Sequence, residues 1–119
     1  MRSFLPLKAA LLPLCFDPAL DDEPAGFDAY RVFYRLDAAN NDGKTQHRIG
    51  TINSGQYRLA TQYWLPEKAR ATVLIVHGYY DHLGLYRHVI RFFLEQGYAV
   101  LGFDLPGHGL SSGARAVIH

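Results

Sequence analysis

Cysteine is nearly absent from this 119-residue chain. Cys15 stands alone, so no internal disulfide framework can form and metal centres built on cysteine pairs are excluded. Charge of one sign is absent as well. Lys and Arg number 12 against 11 for Asp and Glu, leaving no broad field to draw in phosphate backbones, so nucleic acid is not an expected partner. No apolar run reaches the roughly 20 residues that a membrane-spanning helix needs. The opening stretch from Met1 to Phe16 is largely apolar, but Lys8 interrupts it, Pro6 and Pro13 break it, and no small-x-small cleavage pattern precedes Asp21, Asp22 and Glu23. It does not read as a secretory signal. The bulky Leu14 before Cys15 argues against a lipoprotein signal too. A lone cysteine without an export signal fits a reducing compartment, and a cytoplasmic location is the expectation.

What is present is a globular composition, 49% hydrophobic and 19% charged, enough for one modest core. Pro6, Pro13, Pro18 and Pro24 punctuate an irregular leader up to Glu23. Its apolar cluster of Phe4, Leu5, Leu11, Leu12 and Phe16 needs a partner, either the rest of a domain or a membrane surface. The spacing of Phe27, Tyr30, Phe33 and Tyr34 predicts one face of a short helix over Phe27 to Leu36, and Ala38 to Gly43 reads as a polar loop. Residues 1–45 are therefore expected to form a leader with a short helix, and 46–119 the main domain.

The period then changes. Gln46 to Asn53 and Gln56 to Leu65 are rich in Ile, Thr, Tyr and Trp, and Asn53-Ser54-Gly55 between them predicts a β-hairpin. Pro66 ends the second strand because proline has no amide hydrogen for a ladder. Ala71 to Val76 is a continuous β-branched and apolar run, the pattern of a strand buried on both faces in a parallel sheet. Tyr86, Val89, Ile90, Phe93 and Leu94 recur at helical spacing with Arg87, Arg91, Glu95 and Gln96 opposite. Gly97 sits where a left-handed helix cap belongs, and Tyr98 to Phe103 is a second buried strand. The fold class is thus α/β: a hairpin followed by a parallel strand-helix-strand unit. Ligands of such sheets bind beyond the carboxyl ends of the strands, so any site belongs to the loops His77 to Leu83 and Asp104 to Gly113.

Those loops read His77-Gly78-Tyr79-Tyr80-Asp81-His82 and, after Phe103, Asp104-Leu105-Pro106-Gly107-His108-Gly109-Leu110-Ser111-Ser112-Gly113. The pair resembles H-G-x-x-E-H and F-D-x-x-G-H-G-x-S-x-G of the α/β-hydrolases, in the monoacylglycerol lipase and lysophospholipase branch of the serine aminopeptidase S33 type. Asp81 replaces the glutamate of the first pattern. The absence of proline two residues after Gly78 separates the chain from epoxide hydrolases and haloalkane dehalogenases. The resemblance covers about Gln46 to Gly113. It implies the N-terminal part of an α/β-hydrolase sheet, incomplete and ending before the nucleophile elbow. It also implies a Ser-His-Asp mechanism without a cofactor and a lipid ester as substrate in the complete protein.

Acyl transfer requires amide donors aimed at the developing oxyanion, one of them from the loop after this fold's third strand. By resemblance the Tyr79 amide is one donor, with Gly78 letting the backbone come close. His77, Asp81, His82, Asp104, Gly107, His108 and Gly109 are expected to shape the loops, Asp81 and His82 by capping the helix that follows. Tyr79 and Tyr80 are expected to line a lipid cleft and Tyr86 to belong to the core.

One match is a decoy. Gly109-Leu110-Ser111-Ser112-Gly113 satisfies G-x-S-x-G, but the elbow places its serine on a sharp turn directly between strand and helix. Here several loop residues, Pro106 among them, separate the strand from Gly109, so Ser111 is rejected as nucleophile and no catalytic residue is assigned within the chain. His77, His82, His88 and His108 match no two-histidine ligand spacing, and no metal is expected. The leading expectation is part of a serine ester hydrolase acting on lysophospholipids or monoacylglycerols, inactive as this chain. The alternatives are a proline iminopeptidase-like peptidase of the same fold and a noncatalytic truncated product.

Overall fold

A computed structural model of the chain describes residues 4–16, 23–37, 44–79 and 81–113. The polar loop at 38–43, the acidic pair Asp21 and Asp22, and Tyr80 lie outside the described residues.

The hairpin forms as its sequence predicts. Strand β1 (Gln46–Ser54) pairs antiparallel with β2 (Tyr57–Leu65) from Gln46↔Leu65 to Ser54↔Tyr57, closing on a two-residue Gly55-Gln56 loop in which Gly55 has φ +58°. Strand β3 (Thr72–Val76) and strand β4 (Ala99–Phe103) are parallel neighbours, joined by a 3-10 turn at Leu83–Leu85 and helix α3 (Arg87–Glu95). Periodicity alone left the strand order open. It is β1-β2-β4-β3, with β4 inserted antiparallel to β2 and parallel to β3.

The register puts Trp64, Gln62, Val100, Ile75 and Ile49 on one face of the sheet. Trp64 and Val100 are fully buried there, with Leu83 and Ile90 packed into the same core. Burying each such side chain contributes roughly 1.5–3 kcal/mol. β3 does not fit the expectation of burial on both faces. It is the sheet's edge among the described residues, and Leu74 and Val76 on its other face are 57% and 56% exposed. A continuous apolar run records that both faces favour cover; only the packed elements decide which face receives it.

Helix α3 spans Arg87–Glu95, and Gly97 follows with φ +86° as predicted. Its inward face is narrower than the periodicity suggests: Ile90 is buried, Phe93 and Leu94 are partly buried, and Val89 is 41% exposed.

The leader is more ordered than its prolines suggest. Helix α1 (Leu5–Ala10) accommodates Pro6 in its first turn, where no intrahelical amide is required. Helix α2 (Phe27–Tyr34) ends at Arg35, whose left-handed φ of +59° turns the chain so that Leu36 drops into the core. Phe27, Tyr30, Leu7 and Leu11 join Trp64 and Val100 in one cluster, so this chain's own sheet covers part of the leader's apolar surface, while Leu5, Leu12 and Phe16 stay exposed. Residues Leu12 to Leu14 run along β1, with Thr51 N donating to Leu12 O and Leu14 N donating to Thr51 O. Only glycine fits beneath them. A Cβ at Gly50 would lie 2.5 Å from Leu14 Cα. Phe16 then stacks on Tyr63 at 4.9 Å between ring centroids.

Candidate active site

Val76 and Phe103 are paired in the parallel register, so the loops that follow them leave the sheet side by side. His77 joins the two. It is buried, and its Nε2 accepts the amide hydrogen of Leu105 at 2.8 Å. Its Nδ1 lies 2.7 Å from the Gly78 carbonyl. A carbonyl can only accept, so the network assigns the neutral tautomer with the proton on Nδ1. One imidazole thereby ties the first turn of one loop to the second residue of the other.

Asp104 anchors the second loop. Its side chain is fully buried, with Oδ1 accepting from Leu83 N at 2.8 Å and Oδ2 from Leu110 N at 3.0 Å. Burial pushes its carboxyl up from the usual range, against the downward pull of these two amides and of His82 and His77; the net direction is upward. Gly109 is required beside it. The residue has φ +48°, and an added Cβ would lie 2.6 Å from Asp104 Cγ. Gly107 also takes positive φ, and its amide donates to Ser112 O at 2.9 Å.

Ser111 is buried inside this loop. Its Oγ accepts from Ala60 N at 2.8 Å and donates to the Asp104 carbonyl. Ser112 behaves similarly toward Arg58, whose amide donates to its Oγ at 2.7 Å and whose carbonyl accepts from its amide at 2.9 Å. The pairing of β4 with β2 stops at Thr61, so the two serines continue the ladder where the neighbouring strand has ended. Their hydroxyls are spent on backbone.

The first loop is held from within. Gly78 O accepts from Asp81 N at 3.0 Å as well as from His77. Tyr86 Oη accepts from Gly78 N at 3.3 Å and donates to Asp81 Oδ2 at 3.2 Å. Two sequence expectations change here. Neither Asp81 nor His82 caps a helix by its side chain: Tyr86 precedes α3 and His82 precedes the 3-10 turn, both without a side-chain cap. Tyr86 is not simply core either, because its ring packs against the cluster while its hydroxyl braces the loop. Apolar periodicity registers the ring and is blind to the hydroxyl.

His82 instead stacks edge-on against Tyr34 at 4.8 Å. Burial pulls its imidazole down, with Asp104 and Asp81 opposing and His77 adding to the pull. Tyr79 is 63% exposed and meets the His108 ring edge-on at 5.2 Å. His108 is buried, with Nδ1 3.0 Å from Pro106 O and its ring 5.2 Å from that of His77. Gly78 takes no positive φ, and a Cβ there would meet only Asp81 Oδ2, at 3.6 Å, among the described residues. Among those residues no group of three or more His, Cys, Asp or Glu is disposed to hold a metal.

Sequence reasoning overlooked one buried polar chain. His47 Nε2 donates to Gln62 Oε1 at 2.8 Å, and Gln62 Nε2 donates to Tyr30 Oη at 3.3 Å. The His47 ring stacks on Trp64 at 4.2 Å, and burial pulls its imidazole down to about 3. Polar residues at the core-facing positions of a hairpin were the available signal.

Comparison with known proteins agrees with this geometry. The family model described as Hydrolase_4, serine aminopeptidase S33, matches residues 67–119. An uncharacterized abhydrolase domain-containing protein of Dictyostelium discoideum is 45% identical over 65 residues, covering 54% of this chain and 7% of the relative. The monoacylglycerol lipase of Mycolicibacterium smegmatis is 39% identical over 73 residues, covering 60% and 25%. Human monoglyceride lipase is 35% identical over 65 residues, covering 54% and 21%. The chain thus spans at most a quarter of the length of these relatives. A crystal structure of a lipase candidate from Acinetobacter baumannii superposes with a TM-score of 0.50 at 19% identity, over 75% of this chain and 28% of that one, a likeness of fold. With the two loop motifs, the paired strands that carry them and these relatives in agreement, the chain holds part of an α/β-hydrolase fold and is similar to monoacylglycerol lipases.

Proposed function

We propose that this chain forms the oxyanion-side part of a serine ester hydrolase acting on monoacylglycerols or lysophospholipids. The carrying observation is the Leu105 N to His77 Nε2 hydrogen bond of 2.8 Å, which locks together the two loops at the carboxyl ends of β3 and β4. A rigid pair of loops suits a backbone donor that must be aimed before charge develops. In this reading the Tyr79 amide donates to the oxyanion. His77, Asp81, His82, Asp104, Gly107, His108 and Gly109 keep the loops in place. The nucleophilic serine and its histidine and acid come from a longer protein, beyond His119. Ser111 is not among them, because its hydroxyl serves Ala60 and Asp104.

The substrate class rests on relatives bearing the names monoacylglycerol lipase, phospholipase and monoglyceride lipase. A lipid surface would find Leu5, Leu12 and Phe16 of the leader 69%, 69% and 62% exposed. Among the described residues no helix is long and apolar enough to cross a membrane. A peptidase is the second reading, favoured by the serine aminopeptidase description of the matching family model.

The test compares monoacylglycerol, lysophosphatidylcholine and proline p-nitroanilide as substrates of the complete protein, and p-nitrophenyl esters with the 119-residue chain alone. Ester turnover by the complete protein and none by the chain is the expected result. Turnover of the anilide alone would select the peptidase. Ester hydrolysis by the chain itself, abolished by Ser111→Ala, would overturn the assignment of roles.

A further inference from the structure

Hydrogen bonding within the first loop singles out a residue that the loop motifs do not include. Tyr86 stands at the start of α3, with its ring half-buried against the core. Its hydroxyl is placed between two points of the loop after β3, accepting from Gly78 N at 3.3 Å and donating to Asp81 Oδ2 at 3.2 Å. A phenol has one proton and its lone pairs, so this arrangement has a direction: the Gly78 amide gives, the Asp81 carboxylate receives, and Tyr86 stands between them. Two further bonds of the loop converge on the Gly78 carbonyl, which takes Asp81 N and His77 Nδ1. Both polar groups of Gly78 are thereby committed to holding the loop.

We propose that Tyr86 is the positioning residue of the oxyanion loop: by occupying the Gly78 amide and gripping Asp81, it fixes the peptide that follows and makes Tyr79 the amide offered to substrate. This rests on the hydrolase reading above and adds to it a residue and a division of labour. Gly78 lies in the motif that shapes the loop, but its amide belongs to Tyr86 and is not a second oxyanion donor from this loop. Asp81 acts as the acceptor that orients the phenol, which gives the carboxylate at this position a reason independent of helix capping. α3 contributes through the same contact, because the brace is anchored to a helix whose Ile90 is buried in the core. The loop therefore inherits the rigidity of the α3 and β4 packing instead of relying on its own short backbone.

Tyr86→Phe keeps the ring and removes only the hydroxyl. A misaimed donor costs up to about 100-fold in rate, and loss of a whole oxyanion donor about 100- to 1000-fold. The complete enzyme carrying Tyr86→Phe is therefore expected to lose about 10- to 100-fold in kcat on a short-chain ester, with KM changed by less than about 3-fold. Its affinity for a boronic acid transition-state analogue should weaken by a factor similar to the loss in kcat, since a boronate adduct presents the same oxyanion. A merely structural role would lower the melting temperature and the amount of active enzyme without moving kcat per titrated active site. The partner position supplies an independent variant pair. Asp81→Ala should lose activity as Tyr86→Phe does, and Asp81→Asn, which retains an acceptor oxygen, should recover most of that loss. If active-site-titrated kcat and boronate affinity are unchanged in Tyr86→Phe, or if Asp81→Asn is as impaired as Asp81→Ala, the positioning role is wrong while the hydrolase reading stands. If the wild-type complete protein neither turns over esters nor binds the boronate, the underlying reading itself has failed.

Discussion

Ser111→Ala separates two roles that one sequence motif confounds. The hydroxyl accepts from Ala60 N at 2.8 Å and donates to the Asp104 carbonyl, in a side chain 1% exposed. Removing it deletes two hydrogen bonds and strands two main-chain groups in a place water does not readily reach. Each buried group left without a partner costs about 1–3 kcal/mol. The shape change is small, one oxygen atom, so the cavity adds little. Ser111→Ala should therefore destabilise the protein by about 2–6 kcal/mol, at the high end if the Asp104 turn stays closed and at the low end if it opens to admit water. Urea unfolding of wild type and variant, followed by tryptophan fluorescence, reads the difference directly. Trp64 is a suitable reporter because it is the chain's one tryptophan and fully buried. Active-site titration of the complete enzyme supplies the second readout, and the surviving folded molecules should still react with a fluorophosphonate. The reasoning is refuted by the opposite pair: unchanged stability together with lost labelling would make Ser111 the nucleophile and the loop geometry a poor guide.

The remaining predictions concern acid sensitivity and backbone conformation. Burial holds the His47 imidazole at about 3 in the folded state against 6.5 as its ordinary value. Its contribution is thus complete above pH 6.5 and is lost as pH falls toward 3, by about 1.4 kcal/mol per unit below 6.5. A proton on Nδ1 would find no acceptor among the described residues. Between pH 7 and pH 5 the wild type should lose about 2 kcal/mol through this group alone, a loss that His47→Leu removes. His82 acts in the same direction and Asp104, held upward, in the opposite one, so the comparison is between the pH slopes of the two proteins; equal slopes in urea titrations at the two pH values would refute the assignment. Gly109→Ala should cost about 2–4 kcal/mol, combining the left-handed φ with the collision against Asp104. Measured against Asp104→Ser alone, which itself strands the Leu83 and Leu110 amides, Gly109→Ala should still cost more than half as much, because the backbone strain remains; no added cost in the same urea assay would show that sterics alone are at work.

The sequence by itself determined the local elements and pointed to the two loops proposed as the site. Alternation with a turn signal located the hairpin, the helical spacing of Tyr86, Ile90, Phe93 and Leu94 located α3, and two motifs following apolar runs located the loops. These are short-range properties, legible because side-chain period and turn chemistry act within a few residues. It also argued against Ser111 as nucleophile by context, and in the structure that hydroxyl bonds to Ala60 N and the Asp104 carbonyl. Tertiary structure decided what depends on partners far along the chain. It inserted β4 between β2 and β3, left one face of β3 open, and folded a proline-rich leader into the core through Leu7 and Leu11. It gave the Tyr86 hydroxyl a role in the first loop, and it buried His47 against Trp64. Hydrophobic pattern records how much apolar surface a segment must hide, but which neighbour hides it, and which polar atom is thereby met or stranded, is a property of the packed chain.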